Sequence, residues 1–186
     1  MKQTFLTLLL SGVLAVSAAF AQDKYFTKNG HIHFFSGTPM ENIEANNNAA
    51  TSVIDSKTGK MEFAVLMKAF KFEKALMEEH FNENYVESGK YPKATFAGTI
   101  TNLNVVDFTK NGTYKVNVKG NLTMHGVTKE VEAPGTITVD NGKVRANSVF
   151  SVSPEDYKIE IPKLVREKIA KQIKVTVNMD YQALKS

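Results

Sequence analysis

The side chains best suited to chemistry in this sequence are its histidines and one cluster of carboxylates. His31 and His33 lie two residues apart in a stretch of alternating polarity, so on a β-strand they share a face. That is a spacing at which a strand chelates a metal, with His80 or His125 as a third ligand. No further ligand pair follows at a recognisable spacing, and two water-facing strand residues account for the pattern, so no metal is assigned. Glu78, Glu79 and Glu83 could be cast as an acid–base set. Their helical clustering beside Lys71 and Lys74 is equally that of a solvated face with i,i+4 ion pairs. Catalysis needs an activated nucleophile, a paired acid and base, or metal ligands that converge, and no such set stands out. Asn111-Gly112-Thr113 and Asn121-Leu122-Thr123 fit the glycosylation pattern, but the first reads as a turn and the second lies within a strand. We expect neither an enzyme nor a cofactor.

The ends and the composition narrow the class. Met1, Lys2 and Gln3 precede an apolar run from Phe5 to Ala19, closed by Ala19-Phe20-Ala21, which has the small residues of a leader cleavage site. Residues 1–21 are therefore expected to be a signal peptide cut after Ala21, leaving 165 residues as one domain, 22–186. No later stretch is long and apolar enough for a spanning helix, so stable membrane insertion is not expected. The chain has no cysteine, so an exported protein of this sequence relies on burial rather than disulfides. A bacterial periplasm is the expected location. With Lys2 removed, 22 basic residues face 19 acidic ones, spread along the chain, which is no nucleic-acid footprint.

From Asp23 onward, apolar and polar residues alternate in short runs separated by Asn-Gly and Lys-Thr-Gly turns, the pattern of an antiparallel meander. In the clearest run Tyr114, Val116, Val118, Leu122 and Met124 share a dry face, with Lys115, Asn117, Lys119, Asn121, Thr123 and His125 directed outward. Equivalent runs pass through Met61 to Met67, Phe96 to Ile100, Val144 to Phe150 and Ile173 to Met179. With residues 31–36, 49–55 and 128–139 these make about eight strands, the number at which a closed barrel is just wide enough for side chains or one small ligand. A twisted sandwich would show the same alternation. Residues 68–81 place Phe70, Phe72, Leu76, Met77 and Phe81 at helical spacings, predicting an amphipathic helix packed on a barrel end. Residues 162–171 predict a second, with Leu164, Val165 and Ile169 on one side.

The segment Leu122-Thr123-Met124-His125-Gly126-Val127-Thr128-Lys129, followed by Val131 and Pro134, is similar to the L-T-hydrophobic-H-G-V-T-K signature of the YceI-like family. Tyr91-Pro92-Lys93-Ala94-Thr95-Phe96 resembles that family's Y-P-x-x-T-F segment, in the right order and at the right distance. The resemblance implies an all-β, eight-stranded antiparallel lipocalin-like barrel whose interior binds polyisoprenoids, isoprenoid quinone-type molecules or related long-chain lipids, usually in the periplasm. It also implies a homodimer. Taken physically, His125-Gly126 is a hairpin turn where glycine supplies a positive φ, and Thr123 faces Thr128 across it.

The inward positions mix large residues with the small Gly98, Gly120, Ala146 and Ser148, which leave room inside. Such a lining suits a long hydrocarbon, held by apolar contact worth about 25 cal/mol per Å². The candidate ligand-binding residues are Phe34, Phe63, Val65, Met67, Phe70, Phe96, Ile100, Tyr114, Val116, Val118, Leu122, Met124, Phe150, Val175 and Val177. Tyr91, Lys93 or His125 would hold a head group at the mouth. The other reading is an envelope accessory protein whose barrel is filled by side chains and whose outer face binds a protein partner.

Overall fold

The structure, a computed structural model, describes residues 23–184, so the expected leader lies outside the described residues. Its strands are β1 (Lys24–Gly37), β2 (Asn42–Asp55), β3 (Lys60–Leu66), β4 (Lys71–Phe72), β5 (Lys93–Ile100), β6 (Gly112–Met124), β7 (Val127–Asp140), β8 (Lys143–Val152) and β9 (Ile173–Ala183). Eight of them close a ring in the order β1-β9-β8-β7-β6-β5-β3-β2, and β2 pairs back onto β1. The two-residue β4 sits beside β2, outside the ring. All pairings are antiparallel, and closure leaves no sheet edge along the ring's lower half. The lipocalin-like barrel implied by the sequence motifs is thus the fold, and the sandwich is not.

Alternation carries through β6, whose inward Val116 is buried while the outward Lys115, Asn117, Lys119 and Asn121 are exposed. Two tight turns fix the register. His125 and Gly126 have φ of 51° and 72°, and Asn141 and Gly142 have 49° and 79°, the paired positive angles of type I′ hairpins. Across the first turn Thr123 and Thr128 pair in register, their hydroxyls 2.8 Å apart.

The lower end is filled. Ile54, Ile137, Val144 and Met179 are fully buried there, and the Tyr181 hydroxyl meets Ser52 Oγ at 2.7 Å inside the core. Residues 101–111 fold across this end and stack Phe108 on Tyr25, ring centroids 5.5 Å apart. The upper end is built differently. β7 and β8 pair only from Gly135 and Ser148 down to their turn, so above that level the wall parts. Pro134, which has no N–H to give a ladder, stands where they separate. Residues 153–161 pack against β7 at this split, burying Tyr157 and Ile159.

Two expectations for the upper end are corrected. Residues 68–81 are not one helix: Met67–Ala69 form a 3-10 turn, β4 pairs with Ala45 and Asn46, and only Ala75–His80 are α-helical (α1), continued by a π-helical stretch, Phe81–Tyr85. In the extended segment Phe70 and Phe72, two residues apart, fall on one side and both meet Phe34. Tertiary packing therefore overrides the helical spacing. Residues 162–171 hold a 3-10 segment, Lys163–Lys168, rather than an α-helix. There Val165 is half-buried while Leu164 points out to solvent.

Candidate functional site

Above the filled floor the barrel encloses a cavity of about 620 Å³. Its floor is Met61, Ile100, Val116, Ile137 and Met179, and its walls alternate large rings with small residues. Phe34, Phe63, Val65, Met67, Phe70, Phe96, Val118, Leu122, Met124, Phe150, Val175 and Val177 all line it, together with Ile100 and Val116. The register explains this: Phe63 faces Phe96, Phe96 faces Leu122, and Phe150 faces Val175 across neighbouring strands.

Tyr114 departs from that set. It lies near the start of β6, below the cavity, where its hydroxyl donates to the Lys110 carbonyl at 2.9 Å. The small residues also divide. Ala146 and Ser148 line the cavity, but Gly98 and Gly120 do not. These glycines are paired across β5 and β6, and the ring of Phe96 lies over them, filling the space their missing side chains leave.

The upper rim is carried by three segments that local periodicity does not connect. Phe34 from β1 meets Phe70, Phe72 and Phe81 at centroid distances of 5.4, 5.6 and 5.5 Å, anchoring residues 67–85 over the opening. Glu78 ties α1 down, accepting from Lys71 Nζ at 2.5 Å and from the Phe72 N–H at 3.4 Å. The lysine bond, with help from that N–H, holds the Glu78 carboxyl below the usual carboxylate range. Opposite, residues 159–169 contribute Ile159, Ile161, Val165 and Ile169 to the lining. Between them Glu41, from the β1–β2 turn, stands 3.8 Å from Lys74 and 3.9 Å from Lys168. Glu41, Lys74, Leu76, His80 and Lys168 all border the cavity, which places its opening here. Tyr85 also faces it, and burial pushes the Tyr85 hydroxyl's pKa up.

The head-group positions inferred from sequence lie elsewhere. Tyr91, Lys93 and His125 do not reach the cavity. His125 is a structural link: Nδ1 donates to the Tyr157 carbonyl at 2.9 Å, Nε2 meets Glu87 Oε2 at 2.7 Å, and Tyr91 packs edge-on at 4.7 Å. It joins the β6–β7 turn to the chain around Glu87 and Tyr157, next to two of the rim segments. Lys93 is exposed at the start of β5. The rim residues that do border the cavity sit in a turn and in short helical segments, too brief for periodicity to show which way a side chain faces. Ile32 was legible, since it alternates with His31 and His33.

His31 and His33 face outward, in contact with Asn46 Oδ1 and Glu44 Oε2 at 3.0 Å each. Among the described residues no group of three or more His, Cys, Asp or Glu is placed to hold a metal. No helix among them is long and apolar enough to cross a membrane.

The wider comparisons agree with this geometry. The barrel is similar to a polyisoprenoid-binding domain from Saccharophagus degradans, with a TM-score of 0.76 and 14% identity over 88% of this chain and 100% of that one. BcnA of Burkholderia cenocepacia gives 0.68 and 15% over 82% and 96%, and a YceI protein of Campylobacter jejuni 0.52 and 14% over 100% and 92%. At such identities the likeness speaks for the fold. A search of curated proteins found no match. The model of the YceI-like domain matches residues 17–181, nearly the full length and including the His125-Gly126 hairpin and the Tyr91-Pro92 approach to β5. Motif, barrel and family model coincide, and the chain belongs to the YceI-like family.

Proposed function

We propose that this protein binds one long apolar chain, of the polyisoprenoid, isoprenoid quinone-type or fatty-acyl class, and carries it without covalent chemistry in the periplasm after removal of residues 1–21. The observation that carries the reading is the cavity itself: about 620 Å³, apolar from floor to rim, in a barrel whose lower end is sealed. That volume lies within the roughly 300–1,000 Å³ of small-molecule sites, and the scarcity of polar groups in its depth favours hydrocarbon over a polar metabolite. About ten methylenes taken out of water would contribute roughly 8 kcal/mol before ordering costs, the scale of a micromolar dissociation constant. The similar Saccharophagus degradans domain is a polyisoprenoid-binding one, which supports the same ligand class here. Tyr85 and His80, which border the cavity at the rim beside Glu41, Lys74 and Lys168, support contact with a polar head there.

The alternative, a side-chain-filled barrel serving as a protein-binding accessory, fits the lower half of the molecule and leaves the upper cavity without a purpose. Native mass spectrometry of the protein purified from the periplasm, followed by organic extraction, tests the choice. A stoichiometric isoprenoid or fatty-acyl species is the expected result. A clean apo mass that accepts neither added polyprenol nor fatty acid overturns the proposal.

A further inference from the structure

A carrier of insoluble cargo must collect it from somewhere, and the rim of the cavity has the features of a surface that meets lipid. Three large apolar side chains project into solvent around the opening: Met40 at 60% exposure, Leu76 at 61% and Leu164 at 94%. They come from the β1–β2 turn, α1 and the 3-10 segment Lys163–Lys168, the same three segments that Glu41 draws together through Lys74 and Lys168. Leu164 stands out, because its neighbour Val165 turns inward to line the cavity while Leu164 stays in water. Isolated surface leucines are ordinary, but three apolar tips carried on the segments around one opening set this end of the barrel apart.

Charge identifies what the tips face. Residues 162–171 carry Lys163, Arg166, Lys168 and Lys171 against the single acid Glu167. Arg166 is turned toward Glu155 and the Ile169 carbonyl, and Lys168 toward Glu41, which leaves Lys163, next to Leu164 in sequence, and Lys171, at the end of the segment, as exposed cations without an acid partner among the described residues. Glu73 and Glu79 are exposed on the α1 side, and on the other Glu160 and Glu167 are set against four cations, so the basic half of the rim is the one that carries Leu164. An apolar tip on a segment with a net basic charge suits the interface of an anionic bilayer, where the side chain enters the headgroup layer and the cations meet lipid phosphates.

We infer that this rim docks the protein reversibly on an anionic lipid surface, Leu164 and Met40 entering the interface and Lys163 and Lys171 engaging headgroups, so that cargo passes between bilayer and cavity without crossing water. The inference rests on the carrier reading for its purpose, but not for the docking itself.

The test uses the exported protein and two variants, Leu164→Ser with Met40→Ser, and Lys163→Ser with Lys171→Ser. None of these four residues borders the cavity. Two quantities are measured: co-sedimentation with vesicles of phosphatidylcholine alone or mixed with phosphatidylglycerol, and equilibrium loading of a fluorescent fatty acid added from ethanol. The expected result is binding to the anionic vesicles only, weakened about tenfold or more in each variant, with loading from ethanol unchanged. Added salt should weaken binding of the wild type and of the serine-for-leucine variant, and have little further effect on the lysine variant. Wild-type protein that loads fatty acid but ignores both vesicle types overturns the docking and leaves the carrier standing. Vesicle binding without any loading overturns the carrier and leaves the docking. Variants that bind as the wild type does, or a wild-type dimer that ignores vesicles and that Leu164→Ser dissociates, assign the rim elsewhere and overturn the inference.

Discussion

Gly98 and Gly120 stand opposite each other on β5 and β6, so close that a Cβ on Gly120 would collide with the Cα of Gly98. The Phe96 ring lies over the pair and is held edge-on by Phe63, with centroids 5.9 Å apart. The glycines make room for an aromatic side chain of the protein rather than for a ligand, and through it they shape one wall of the cavity.

Gly120→Ala is therefore expected to destabilise the barrel by about 1–3 kcal/mol, because its new methyl group would meet backbone, with the Ala97 carbonyl oxygen only 2.5 Å away. Thermal denaturation followed by circular dichroism measures this. A melting temperature equal to the wild type's would mean that the two strands separate freely here.

Filling the cavity from a position with room should remove cargo without harming the fold. Ala146 lines the cavity at the level of its floor, paired with Ile137 on β7 and Met179 on β9. Ala146→Phe is expected to retain the far-ultraviolet spectrum and to lose most of the extractable lipid. Lipid content matching the wild type's, in a folded variant, would show that the chain does not reach this level.

His125→Ala removes the partner of the Tyr157 carbonyl and of the Glu87 carboxylate together. The expected cost is about 1–3 kcal/mol, with faster hydrogen exchange concentrated in residues 82–91 and 153–161. Exchange that rises uniformly over the barrel would argue that His125 supports the whole fold rather than linking the rim to its hairpin.

Stability should decline toward both extremes of pH. Glu78 is held low by Lys71 and Phe72, and Asp55 by hydrogen bonds from Thr58 and the Lys57 N–H. The unfolded chain takes up these protons at higher pH than the folded one, so their contribution is present at neutrality and fades as pH drops below about 5. Tyr181 behaves oppositely: burial raises its hydroxyl well above the ordinary value, so the folded state keeps a proton that the unfolded state loses above about pH 10. Its contribution fades as pH rises through that value. Melting curves across pH check both limbs. Tyr181→Phe should flatten the alkaline one at the cost of the bond to Ser52.

The strands were legible because each reports its own inward face. A period of two cannot be satisfied by chance over the length of β6, and His125-Gly126 and Asn141-Gly142 need no distant partner to turn as they do. Most of the cavity lining followed from this, since a residue on the dry face of a barrel strand points inside. Tyr114 shows the limit: the pattern says which face a residue takes, but not whether its level along the barrel is open or plugged by Phe108 and Tyr25. The residues around 70 show another, where Phe70, Phe72 and Phe81 carried a helical spacing that their shared contact with Phe34 overrode.

By itself, then, the sequence determined the strands, their turns and their apolar faces, because alternation and turn chemistry act over a few neighbouring residues, and its likeness to the YceI-like family implied the barrel that closes them. Only the tertiary structure decided that the glycines shelter Phe96, that the floor is sealed while the rim opens, and that Glu41, Lys74 and Lys168 meet there. Those outcomes depend on loops far apart in the chain being brought to one end of a closed cylinder. No local pattern encodes a distance across it.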